Sequence, residues 1–207
     1  MIPVKILAVR YLPGADPKLA GALGAPKERT SLGILTTDCD DATYIALDAA
    51  TKAADVEVCY ARSFYAGAAN ASTPTAGEVI GILAGASPGA VRSGMEAAIS
   101  ALGRIGFEEN AGVPYLAHTI SSVGSFLAKE AGVRVGSAIA YLIAPPLEGM
   151  YALDGALKAA DVKLCKLYAP PSETNFGGGL LSGSQSACQA ACDAFAAAVK
   201  EVAQKPK

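Results

Sequence analysis

The apolar positions of this chain alternate in short blocks of two periods. VKILAVR (4–10) places Val4, Ile6 and Ala8 in alternation with Lys5 and Leu7, the signature of a half-buried strand. SLGILTT (31–37) reads as a second strand, and 56–64 and 77–84 as two more. Between them a short helix is predicted around 17–23 and a longer one over 41–54. A further helix is predicted over 88–103, where Ser87 is a natural N-cap and Pro88 suits the first turn. The order then recurs. Strands are predicted at 114–121, 138–144, 162–168 and 178–182, with helices at 124–131, 147–160 and 185–202.

The recurrence is also one of residues. LDAATKAADVEVC (47–59) and LDGALKAADVKLC (153–165) align without a gap. Gly81–Gly85 (GILAG) is echoed by Gly179–Gly183 (GLLSG), each ahead of a helical segment. A chain that repeats a supersecondary unit in sequence repeats it in structure. The expected fold is α/β, two tandem copies of an α+β sandwich, each a small sheet flanked by helices. The expected domains are 1–110 and 111–207.

Composition narrows the function classes. Of 207 residues 52% are hydrophobic, enough for two cores, and the formal net charge is −2. That balance offers no electrostatic footprint for nucleic acid or an anionic membrane. No apolar run has the length of a membrane-spanning helix. The N-terminal apolar stretch is broken by Lys5 and Arg10 and lacks a cleavage pattern, so a cytoplasmic protein is expected. Cys39, Cys59, Cys165, Cys188 and Cys192 are odd in number and sit mostly in apolar segments, which reads as core cysteines and no metal site.

Catalytic patterns are missing. The single histidine, His118, falls inside a strand, where it reads as a packed residue. No nucleophile–base–orienter set can be assembled from spacing, and Gly177-Gly178-Gly179 lacks the Lys-Ser/Thr of a phosphate loop. No enzyme activity and no cofactor are expected. What remains is a group of acids: Asp38, Asp40, Asp41, Glu78, Glu148 and Glu173. One of Asp40 and Asp41 is expected to cap the helix at 41–54. Capping gives Glu78 no role. If these acids converge they form a cation-selective lining or a seat for a small ammonium ligand. Two segments rich in small residues, 65–76 and 169–179, occupy the same place in each repeat between two strands; they read either as ordinary hairpin loops or as the paired loops a pore rim would need.

Three stretches are specific enough to carry a resemblance. They are SLGILTTDCDDATYIALDAATKAADVEVCYARSFYAGAANASTPTAGEVIGILAG, AYLIAPPLEGMYALDGALKAADV and PPSETNFGGGLLSGSQSACQAACDAF. They resemble the EutL-type, tandem-domain shell proteins of bacterial microcompartments that use ethanolamine. The resemblance implies that each half is a circularly permuted microcompartment shell domain. It implies a homotrimeric, pseudo-hexameric tile that meets other shell proteins in a flat layer. Ethanolamine would be held by Asp40, Asp41, Glu78 and Phe107, with Glu173, Thr174 and Asn175. Glu148 would join Asp40, Asp41 and Glu78 in lining small acidic pores. Tyr65, Ala66, Gly67 and Asn70 on one loop, and Phe176, Gly177 and Gly178 on the other, would gate a central pore. The competing readings are a small-amine-binding regulatory protein that does not tile, and an enzyme of unknown class.

Overall fold

The computed structural model describes residues 1–64, 74–75, 77–170 and 176–207. The chain divides into two compact units. The first comprises Pro3–Ile105 with Gly124–Leu127, and the second comprises Met1–Ile2, Gly106–Val123 and Ala128–Lys207.

In the first unit the order is β1 (Ile6–Leu12), α1 (Pro17–Ala22), β2 (Ser31–Thr37), α2 (Asp40–Ala53), β3 (Val56–Phe64), β4 (Glu78–Gly85) and α3 (Pro88–Leu102). The sheet is antiparallel with order β1-β2-β4-β3. Its central strands β2 and β4 are buried at most positions, whereas the edge strand β1 alternates exposed and half-buried residues. Ser87 caps α3 by accepting the Ala90 N–H at 3.2 Å, and Pro88 opens it. The expected start of β1 at residue 4 moves to Ile6 for a local reason. The Lys5 N–H goes to the Asp38 carboxylate at 2.8 Å and the Asp38 N–H returns to the Lys5 carbonyl at 3.2 Å, so the pair closes on a side chain before the ladder begins.

The second unit runs β5 (Glu108–Asn110), β6 (Val113–Ile120), α4 (Ser125–Ala131), β7 (Ala138–Ala144), α5 (Pro146–Ala159), β8 (Val162–Tyr168), β9 (Gly177–Gly183) and α6 (Gln185–Gln204). Residues 125–127 of α4 belong to the first unit. The sheet is antiparallel with order β5-β6-β7-β9-β8. The order β6-β7-β9-β8 matches β1-β2-β4-β3 strand for strand, as the duplication requires. Val56 pairs with Gly85 and Val162 with Gly183, so the echo at 81–85 and 179–183 is structural. Both repeated cysteines sit at the same irregularity. The β3–β4 register shifts between Val58 and Tyr60, and the β8–β9 register between Leu164 and Lys166, so Cys59 and Cys165 each occupy a bulge.

Strand β5 is absent from the sequence-based expectation. It is three residues long and turns into β6 through Ala111 and Gly112, both at positive φ (49° and 81°), as a tight two-residue hairpin needs. The core of this unit gathers Leu142, Leu153, Leu181, Cys188, Cys192 and Phe195 between sheet and helices. β7 is buried at all of its positions, which accounts for its uninterrupted apolar sequence AIAYLIA.

Candidate functional site

The first unit gathers polar groups where α2 starts beside the ends of β3 and β4. The N-cap position of α2 is Cys39, whose side chain makes no capping bond. Asp40 stands at the first helical position instead of the cap. Its Oδ1 accepts the Asp41 N–H at 2.8 Å, and its Oδ2 accepts the Ser63 hydroxyl of β3 at 2.6 Å. The Gly77 N–H, just ahead of β4, also bonds to Asp40. Ser63 shares a 2.5 Å hydrogen bond with the hydroxyl of Tyr44, one helical turn past Asp40. Thr37 and Thr43 complete the floor: their hydroxyls lie 2.7 Å apart, Thr43 donates to the Cys39 carbonyl at 2.7 Å, and Thr37 accepts the Cys39 N–H at 3.2 Å.

Burial decides the electrostatics here. Asp40 and Asp41 are both buried. Loss of solvent raises the Asp40 carboxyl to about 6, although the bonds from Ser63, Asp41 and Gly77 pull it down. Glu78 opens β4 opposite Phe64, one position from the Val79–Ser63 pair, and is half-buried. The structure thus brings Asp40, Asp41 and the β4 end that carries Glu78 to one place. The positive end of the α2 dipole offsets part of two buried acids. The rest of that negative potential is the environment a small cation or a proton would neutralise. These thiols do not compete as nucleophiles: desolvation pushes buried Cys39 well up, and half-buried Cys59 and buried Cys192 to about 11.

The remaining expected positions lie elsewhere. Phe107 is in the second unit, fully buried, with its ring 5.8 Å from that of Phe176 and its carbonyl accepting the Ile2 N–H at 2.6 Å. It packs that unit's interior. Glu148 sits half-buried in the first turn of α5. Gly177 and Gly178 do not belong to a loop. They begin β9, where Gly177 pairs with Ala144 and Gly178 with both Ile143 and Tyr168. Each glycine is held in the ladder, so the strand starts before the loop was expected to end. Tyr65, Ala66, Gly67, Asn70, Glu173, Thr174 and Asn175 lie outside the described residues.

Sequence reasoning missed Ser63 and Tyr44. Tyr44 follows Asp40 by four residues and so shares its helical face, whereas Ser63, beside Arg62 near the end of a strand of mixed polarity, carries no distinctive signal. His118 lies in β6 opposite Tyr141, a strand position as expected. Among the described residues no group of three or more His, Cys, Asp or Glu could hold a metal ion. Nor is any helix among them long and apolar enough to cross a membrane.

Comparison with known proteins fits this picture. The BMC domain family matches residues 31–113. Over the whole chain the protein is 57% identical to the bacterial microcompartment shell protein EutL of Clostridium perfringens, covering 97% of it. It is 46% identical to EutL of Escherichia coli K12, again over the whole chain and 96% of that protein. The crystal structure of the ethanolamine utilization protein EutL from Leptotrichia buccalis superposes with a TM-score of 0.93 at 58% identity, over 99% of this chain and 96% of that one.

Proposed function

Since this chain belongs to the EutL family of bacterial microcompartment shell proteins, we propose that it builds its tile as a homotrimer with a small-ammonium site at the start of α2. It is a structural shell protein, and shell proteins work by associating with one another. The observation that supports the trimer is the matching strand order of the two units. A chain with two like units per copy makes a six-fold-like ring when three copies close it. The duplicated halves, 1–110 and 111–207, are then two shell domains, and the tile carries no catalytic step. Light scattering is expected to give the mass of three chains, and electron microscopy of the concentrated protein hexagonal sheets. A stable monomer, or a discrete trimer that never tiles, points instead to the non-tiling regulatory reading.

The ligand class follows from the site. Asp40 and Asp41 are buried acids at a helix start, and Glu78 approaches from β4. A primary ammonium supplies three donors and a charge, and its hydroxyl arm can bond to backbone groups. Ethanolamine is the member of that class that the family resemblance implies. In this reading Glu148 lines a small pore. Phe176 borders a larger, gated one.

Glu78→Gln keeps shape and removes charge. Ethanolamine affinity by calorimetry is expected to fall about tenfold, the roughly 1.4 kcal/mol of one charge-assisted bond, with the assembly intact. Unchanged affinity removes Glu78 from the site. The pH profile is a second readout. Binding needs Asp40 ionised and its carboxyl is raised to about 6, so affinity is expected to be full only well above pH 6 and to decline as pH falls through it. Asp40→Asn should abolish that decline.

A further inference from the structure

The two halves are not equally covered. The bond from Ala15 N–H to the Thr30 carbonyl recurs from Val123 to Ser137, at 2.8 and 2.9 Å, so α1 corresponds to α4 with Pro17 matching Ser125. In the same way α2 corresponds to α5, and Asp48 to Asp154. In the first unit the tip of α4 lies on α2. Asp48 accepts the N–H groups of Gly124 and Leu127 at 2.7 and 2.9 Å, and Thr51 accepts that of Ser125 at 3.1 Å. The rings of Tyr44 and Phe126 lie 6.1 Å apart.

The matching residues of α1 and α5 are open. Leu127 is 1% exposed and its counterpart Leu19 is 49% exposed. Ile45 is 3% exposed and its counterpart Tyr151 is 50% exposed. The Asp48 side chain is 0% exposed and that of Asp154 is 63% exposed. Leu147, on the same exposed side of α5's start, is 65% exposed. One chain thus carries a filled copy of a helix-tip-on-helix contact together with both unfilled partners of a second copy.

We infer that the tip of α1 (Pro17, Lys18, Leu19) docks on α5 (Leu147, Met150, Tyr151, Asp154) of another copy of this chain. The occupant is a second copy because each surface's natural partner, by the duplication, is the other one, and both belong to this sequence. The two surfaces differ, so the contact is head-to-tail, and with the three-fold rotation of the proposed trimer it closes into a ring. The new junction is not a replica of the internal one. Asp16 caps α1 by itself, accepting the Lys18 and Leu19 N–H groups at 2.9 and 3.3 Å, whereas its counterpart Gly124 has no side chain and depends on Asp48. Asp154 is therefore free of a capping task. It pairs with Lys158 along its own helix and meets Lys18, which stands where Phe126 stands in the other half. Lys18 and Lys158 also offset Asp16 against Asp154 across the junction.

This inference relies on the trimer reading and its test separates the two. Lys18→Cys with Met150→Cys copies the Phe126–Tyr44 pair, and both positions lie at the surface or partly so. Mild oxidation followed by denaturing electrophoresis is expected to give a covalent ladder ending at three chains, absent from either single variant. A trimer in light scattering without the ladder overturns this contact and leaves the trimer standing, and a monomer overturns both. Leu19→Lys is an independent arm. It is expected to weaken association at least tenfold, and assembly equal to the parent's overturns the contact.

Discussion

Replacing Asp48 with Ala is expected to destabilise the first unit by about 3 kcal/mol, read from denaturant unfolding. The Asp48 side chain is fully buried, yet it is a polar group that must be satisfied there. Three groups hold it: the Gly124 N–H at 2.7 Å, the Leu127 N–H at 2.9 Å and the Lys52 ammonium at 3.6 Å. Truncation leaves two buried N–H donors without their acceptor, each costing about 1–3 kcal/mol. Lys52 loses little, because it is partly in water and its i,i+4 pair is worth a few tenths of a kcal/mol. Asp48→Asn retains one acceptor oxygen and should lose about half as much. A loss under about 1 kcal/mol for Asp48→Ala would mean that water or a rearranged tip replaces the carboxylate, and that the α4 tip is not anchored there.

Asp48 also shows how far the sequence could be read. It sits in the most legible part of the chain, the LDAATKAADVEVC repeat, and the repeat correctly indicated two like units. It could not tell that Asp48 is buried and Asp154 exposed, because the difference lies in the α4 tip, distant in sequence, which covers Asp48 and leaves Asp154 open. Periodicity placed β2, β3, β7 and β8 to the residue, since each is bounded by polar turns or helix starts. It missed β5, where the signal is two positive-φ residues and no apolar run. At the candidate site the acids were legible as types. Burial and the Ser63–Tyr44 partnership were not, since both follow from β3 lying beside the start of α2. The expectation that an aspartate would occupy the cap position failed by one residue. Thr37 and Thr43 satisfy the groups around Cys39, which leaves Asp40 to the helix's first turn.

Gly178→Ala is expected to cost the most, at least about 3 kcal/mol, and to leave the second unit poorly folded. Its φ of 153° is a conformation that side-chain-bearing residues rarely adopt. A Cβ there would fall 1.9 Å from the Leu142 carbonyl oxygen, 2.8 Å from its carbon and 3.0 Å from the Ile143 Cα. All three are backbone atoms of β7, so no rotamer change relieves the clash. β9 is an interior strand between β7 and β8, and moving it would break ladders on both sides. Gly155→Ala is the matched control. Gly155 lies inside α5, and a Cβ there would meet only Ala198 Cβ at an ordinary 3.7 Å. Its counterpart in the first half is already Ala49. That variant is expected to be stabilised by about 0.5–1 kcal/mol, from helix propensity and a less free unfolded chain. Thermal unfolding of both variants beside the parent decides the matter. If Gly178→Ala unfolds at the parent's temperature, β9 can shift against β7, and the register of its glycines is not fixed.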